Sequence, residues 1–154
     1  MDMENLQLFD SVKIAIIFSG LYLWVGMLTG VWKYAQIRNS THSRAHYYVD
    51  IAHRSSLLYA PATLILAVLA YFSAWSESLN LMCIVINLVF FSFAIASYVL
   101  HGMLQDTSNQ FKQPHQLGKW HLPSWMMSVA MLLLVIGEIV ATGILVLGVM
   151  INFY

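Results

Sequence analysis

Cysteine occurs once in this sequence, at Cys83, inside an apolar run. An intramolecular disulfide is therefore excluded, and the residue reads as a small hydrophobe. No CxxC or CxxCH is present, which also excludes covalent haem attachment and a thiolate zinc site. Charge is nearly as scarce. Asp, Glu, Lys and Arg make up 9% of the chain, against about 25% in a soluble domain. The formal net charge is zero and no basic run occurs, so no nucleic-acid partner is expected. Proline appears three times, and the stretch from residue 1 to 60 has none. The opening MDMENLQLFD is acidic, without the basic region or small-residue cleavage site of a signal peptide, so the first apolar run is expected to be retained. No lipidation motif stands at either end.

What the chain does contain is apolar residues, 60% of its 154 positions. A helix needs about 20 of them to cross a hydrocarbon core of roughly 30 Å. Residues 14–32, 55–75, 79–100 and 125–150 qualify. Their hydrophobicity is continuous rather than alternating, and lipid admits only helices or closed barrels, so helices are predicted. The expected fold is a single domain (1–154), an all-α integral membrane bundle of four transmembrane helices in the lipid bilayer. Segments 33–54 and 101–124 then share one side, and the termini and the turn Ser76–Ser78 share the other. The first side holds Lys33, Arg38, Arg44, Arg54, Lys112 and Lys119, the second only Lys13. The positive-inside rule makes the first side cytoplasmic and both termini extracytoplasmic, with Asp2, Glu4, Asp10 and Glu77 outside. Compactness and the lack of a targeting peptide favour a bacterial inner membrane. Residues 105–124, with Pro114, Gly118 and Pro123, read as a structured loop.

All six histidines fall on the cytoplasmic side. The second helix is expected to begin near Thr41 or Ser43 and to extend through HSRAHYYVDIAH into the membrane. On such a helix His42, His46, Asp50 and His53 lie within an arc of about 80°. Histidines four residues apart can grip one metal ion, and a carboxylate can complete or orient the set. His101, at the end of the third span, reaches the same side. Asp106 joins it only if that helix ends first, and His115 and His121 follow in the loop. This inventory suits a transition metal such as iron, zinc or manganese, or axial ligation of haem b by His46, His53 and His101. HSRAH resembles in spacing the first histidine box of membrane di-iron desaturases and hydroxylases. Those enzymes also carry paired HH boxes, and this chain has none. The alternative is a polar face in the headgroup layer, with Asp50 paired to Arg54 at i+4.

Glu138 stands near the centre of the fourth span, where an ionisable group is costly unless protonated, paired or hydrated. Counted by helical rise it is level with Gly26, Thr63 and Ser92, which are expected to supply its hydrogen bonds. Proton relay, cation binding, quinone contact and a structural clamp between helices all fit. The Glu138-x-x-x-Thr142 setting is similar to that of small multidrug transporters, whose glutamate belongs to the first helix. Gly26 and Gly30, with Ser19 one heptad earlier, and Gly137, Ala141 and Gly148 form small-residue stripes. They are expected to serve internal packing, a homo-oligomer or a larger membrane complex. Pro61 is expected to kink the second helix, and Asn87 to bond across helices. Tyr22 and Trp24, deep in span one, need partners.

Three functions follow. The first is a metal- or haem-binding redox component or membrane enzyme, centred on the His/Asp cluster. The second is a non-catalytic accessory subunit or oligomeric scaffold. The third is a proton- or cation-coupled transporter using Glu138.

Overall fold

The computed structural model describes residues 8–154. Asp2 and Glu4, assigned above to the extracytoplasmic side, lie outside them. Among the described residues, four helices are long and apolar enough to cross a membrane. They are α1 (Asp10–Asn39), α2 (Tyr47–Phe72), α3 (Glu77–Leu104) and α4 (Ser124–Phe153). A short antiparallel hairpin, β1 (His115–Leu117) and β2 (Trp120–Leu122), interrupts the connection from α3 to α4. A 30-residue helix such as α1 is about 45 Å long, so it projects well beyond a 30 Å core.

The pair α2 and α3 forms the middle of the bundle, with α1 packed on both and α4 packed on both. The core between them holds Val12, Tyr22, Leu66, Ile84, Leu88 and Leu145, all buried. In lipid, association rests on close packing and on hydrogen bonds between helices rather than on water exclusion. The small residues serve this within the chain. A side chain on Gly26 would strike Leu57, one on Gly30 the His53 ring, and one on Gly137 the Phe90 ring. Ala141 is buried, and Gly148 receives Trp75 and Ser73. Ser19 donates to the Ala60 carbonyl oxygen at 2.8 Å.

Helix ends are satisfied from neighbouring helices. Phe9, at the N-cap of α1, offers no side-chain acceptor. The Glu77 carboxylate from α3 takes that role, accepting from the Ser11 amide and the Ser11 hydroxyl, each at 2.8 Å. The turn between α2 and α3 lies three residues earlier than the hydropathy suggests. α2 stops at Phe72, and Trp75, which reads as the last residue of the span, belongs to the turn. The reason is a tertiary bond: the Trp75 indole N–H donates to the Ile144 carbonyl oxygen at 2.7 Å, and the Ala74 amide donates to that of Gly148 at 3.0 Å. α2 passes through Pro61 as one helix.

Candidate functional site

The second helix begins later than its sequence suggests. Ser43 takes a left-handed backbone (φ 51°), which breaks the chain after Asn39 into a turn. The helix starts at Tyr47 with His46 as its N-cap. The His46 Nδ1 accepts from the Tyr48 amide at 3.4 Å, and the His46 amide donates to Gln36 Oε1 at 2.9 Å. An acceptor at this position satisfies one of the open amides of the first turn. His42 is therefore not on the helix, and the four-residue stripe is reduced to Asp50 and His53 with His46 at its head. An open groove of about 490 Å³, lined by Gln36, Asn39, Arg44, His46 and Gln105 among others, lies beside this turn.

Both helical members of the stripe are engaged within the chain. Asp50 pairs with Lys33 of α1 and with Arg54 at 2.9 Å, so the expected i+4 pair forms and a cross-helix cation joins it. The His53 Nδ1 lies 2.7 Å from the Gly26 carbonyl oxygen. A carbonyl only accepts, so Nδ1 carries a proton and donates it to this bond.

At the end of α3, the helix stops at Leu104 because Gln105 adopts a left-handed conformation (φ 49°). This brings Asp106 back toward His101, the condition on which the sequence made its participation depend. The His101 Nδ1–H donates to Asp106 Oδ1 at 2.8 Å, with His101 4% exposed. The second carboxylate oxygen accepts from the Gly118 amide at 2.6 Å. Burial disfavours the charge on Asp106, but the Gly118 amide and the His101 ring outweigh it and hold the carboxyl below the usual aspartate range. The buried Tyr48 ring packs on both His101 and Tyr98, with centroids at 5.1 and 6.1 Å. Its hydroxyl accepts from the Gln110 amide. His115 is buried and donates from Nδ1 to the Gln110 carbonyl oxygen at 2.9 Å. His121 is exposed on β2. Among the described residues, no three His, Cys, Asp or Glu side chains come together as a metal-ligand set.

Glu138 presents a different situation. Its Oε1 is buried without a hydrogen-bond partner, and so is the Thr63 hydroxyl. The layer predicted to serve it does not. Ser92 is within 2.8 Å of the Tyr22 hydroxyl, which also donates to the Leu88 carbonyl oxygen. Helical rise fixes depth but not rotation, and Ser92 is turned toward α1. One turn further along α4, the Thr142 hydroxyl donates to Asn87 Oδ1 at 3.2 Å, the cross-helix bond expected of Asn87. Trp24 is 59% exposed on the outer face of α1 and lines no cleft with Tyr22.

Two features would have been hard to find from sequence. Tyr48 lies off the arc of the histidine stripe on its own helix, yet its ring packs against His101. Gln110 carries no motif, yet it makes three of the contacts that hold the loop, donating its amide to Tyr48 and accepting from Ser97 and His115.

Fold and site together define a class, a membrane helix bundle with four apolar helices and a polar, loop-covered end. No protein-family model matches the chain, and no curated protein and no solved structure matches it.

Proposed function

We propose that the protein handles protons or small cations through Glu138. The observation behind this reading is the buried, unpartnered Oε1 of Glu138 in the middle of an apolar helix. A structural glutamate in such surroundings is expected to find a donor, because an unsatisfied buried acceptor is costly. A carboxyl that exchanges its proton with another site, or trades it for a monovalent cation, must instead keep an acceptor free. On this reading the loop-covered end faces the cytoplasm, in agreement with its excess of Lys and Arg. So short a chain would work as a homo-oligomer or within a larger complex. The test uses vesicles loaded with a pH-sensitive dye and containing the purified protein. Glu138→Gln is expected to abolish proton flux driven by a potassium diffusion potential; flux equal to wild type in that variant would remove the proposal.

A second reading keeps the metal- or haem-binding redox component, and one observation favours it. His101 donates a hydrogen bond from Nδ1–H to a carboxylate, the arrangement that orients an imidazole and raises its basicity as a metal ligand. Elemental analysis and a visible spectrum of protein purified without chelator address it. Stoichiometric iron or zinc, or a Soret band lost in His101→Ala, would support it, and neither signal in wild type would end it.

A further inference from the structure

The loop of residues 105–123 has two unlike faces. Its inner face is fastened to the bundle by Asp106 to His101 and by Gln110 to Tyr48 and Ser97, and is held together internally by Asp106 to the Gly118 amide and by Gln110 to His115. The side chain of Asp106 is only 6% exposed, and Asp106 is the sole carboxylate in the segment. Turning it inward leaves Lys112 and Lys119 as the only formal charges on the outer face. Both are exposed, and neither enters an ion pair among the described residues. Beside them Trp120 is 77% exposed and Phe111 52% exposed.

The position of this face is set by its stalks. Met103 and Leu104 at the end of α3, and Trp125 and Met126 at the start of α4, are exposed apolar side chains. The lipid-facing band of the bundle therefore runs up to the base of the loop. Gly118, with its left-handed φ of 59°, turns the hairpin so that it settles on Leu104. Trp120 is thus five residues from Trp125 of that band and Phe111 seven from Leu104, and indole and phenyl rings favour the headgroup layer. Two unpaired lysines beside them complement phosphate rather than a neutral surface.

We propose that the 105–123 loop is an interfacial lipid-binding element: Trp120 and Phe111 seat it in the headgroup layer, and Lys112 and Lys119 select anionic phospholipids. The internal latch holds the hairpin's shape, so the outer face is presented ready-made and loses little conformational freedom on meeting the bilayer. The ligand chemistry is a phosphodiester fixed in a membrane, and the inference stands independently of any role for Glu138.

The test uses full-length protein in bilayers that mix phosphatidylglycerol and phosphatidylcholine, with bromine on the chains of one lipid or the other. The fluorescence difference between wild type and Trp120→Phe isolates Trp120. Bimane on His121→Cys reads the same depth independently, Cys83 being buried. Trp120 is expected to be quenched by both lipids, with phosphatidylglycerol enriched around it by on the order of fivefold per lysine. That enrichment is expected to vanish in the Lys112→Gln/Lys119→Gln double variant and to survive inorganic phosphate at matched ionic strength. Absence of quenching by either lipid would place the hairpin in water and overturn the proposal. So would equal quenching by both lipids, enrichment that persists in the double variant, or displacement by inorganic phosphate.

Discussion

The His53 ring occupies the space above Gly30 that a side chain there would need, and its Nδ1–H reaches the Gly26 carbonyl oxygen at 2.7 Å. The GxxxG of α1 is thus a seat for a histidine of α2. A methyl group on Gly30 would come within 2.8 Å of the ring. Gly30→Ala is expected to displace the ring and cost about 1–3 kcal/mol. The same change in a His53→Ala background is expected to cost much less, since the ring that the methyl group would strike is gone. Unfolding in mixed detergent, read as a double-mutant cycle, measures the coupling; additive effects would show that the ring does not fill that seat.

The Asp106 latch has a defined acid limit. Its carboxyl is held below the usual aspartate value, so the stability it supplies is fully present above the unfolded value of about 3.9. It is lost as pH falls through the lower folded value. Hydrogen exchange at the Gly118 amide is expected to stay slow, after correction for intrinsic rates, down to about pH 4 and to accelerate below it. Asp106→Asn is expected to remove the step. A protection loss centred well above pH 4 would assign the transition to another group.

Glu138 and Thr142, one turn apart on α4, are expected to respond in opposite ways. Thr142→Val removes the donor to Asn87 and is expected to cost about 0.6–1.7 kcal/mol. Glu138→Gln removes no hydrogen bond present here and is expected to leave the unfolding midpoint unchanged or raise it. A clear loss of stability in Glu138→Gln would instead mark the glutamate as a clamp between helices.

Asp50 joins two cations of unequal exposure, Lys33 at 30% and Arg54 at 62%. The cross-helix pair is the better shielded from water. Lys33→Gln is expected to cost more than Arg54→Gln, each within about 1 kcal/mol. High salt is expected to narrow the difference. Thermal melts at low and high ionic strength compare the two, and equal costs would show that Asp50 is held by the helix alone.

The four helices were legible because each is a continuous apolar run bounded by charge or turn residues, a pattern that survives any detail of packing. The meeting of His101 and Asp106 was legible conditionally, since helix geometry sets them about 140° apart and only a break after Leu104 closes the gap. The start of α2 was not. Thr41 and Ser43 look like caps, but the choice of His46 depends on Gln36 of α1 taking its amide, which is not local, and on the left-handed turn at Ser43, which no residue type there announces. Trp75 misled for the same reason, as an apolar residue drawn out of its helix by a carbonyl on α4. The partners assigned to Glu138 came from depth alone, and rotation sends Ser92 to Tyr22 instead.

The bonds from Trp75 and Ala74 to α4 also bear on the order of assembly. During synthesis the α2–α3 pair can enter the membrane while α4 is still unmade. Until then the Trp75 indole and the Ala74 amide have no acceptor from their own chain. The last helix therefore completes the turn between two earlier ones, and a nascent chain halted before residue 144 is expected to expose that turn to proteases that cannot cut it in the finished protein.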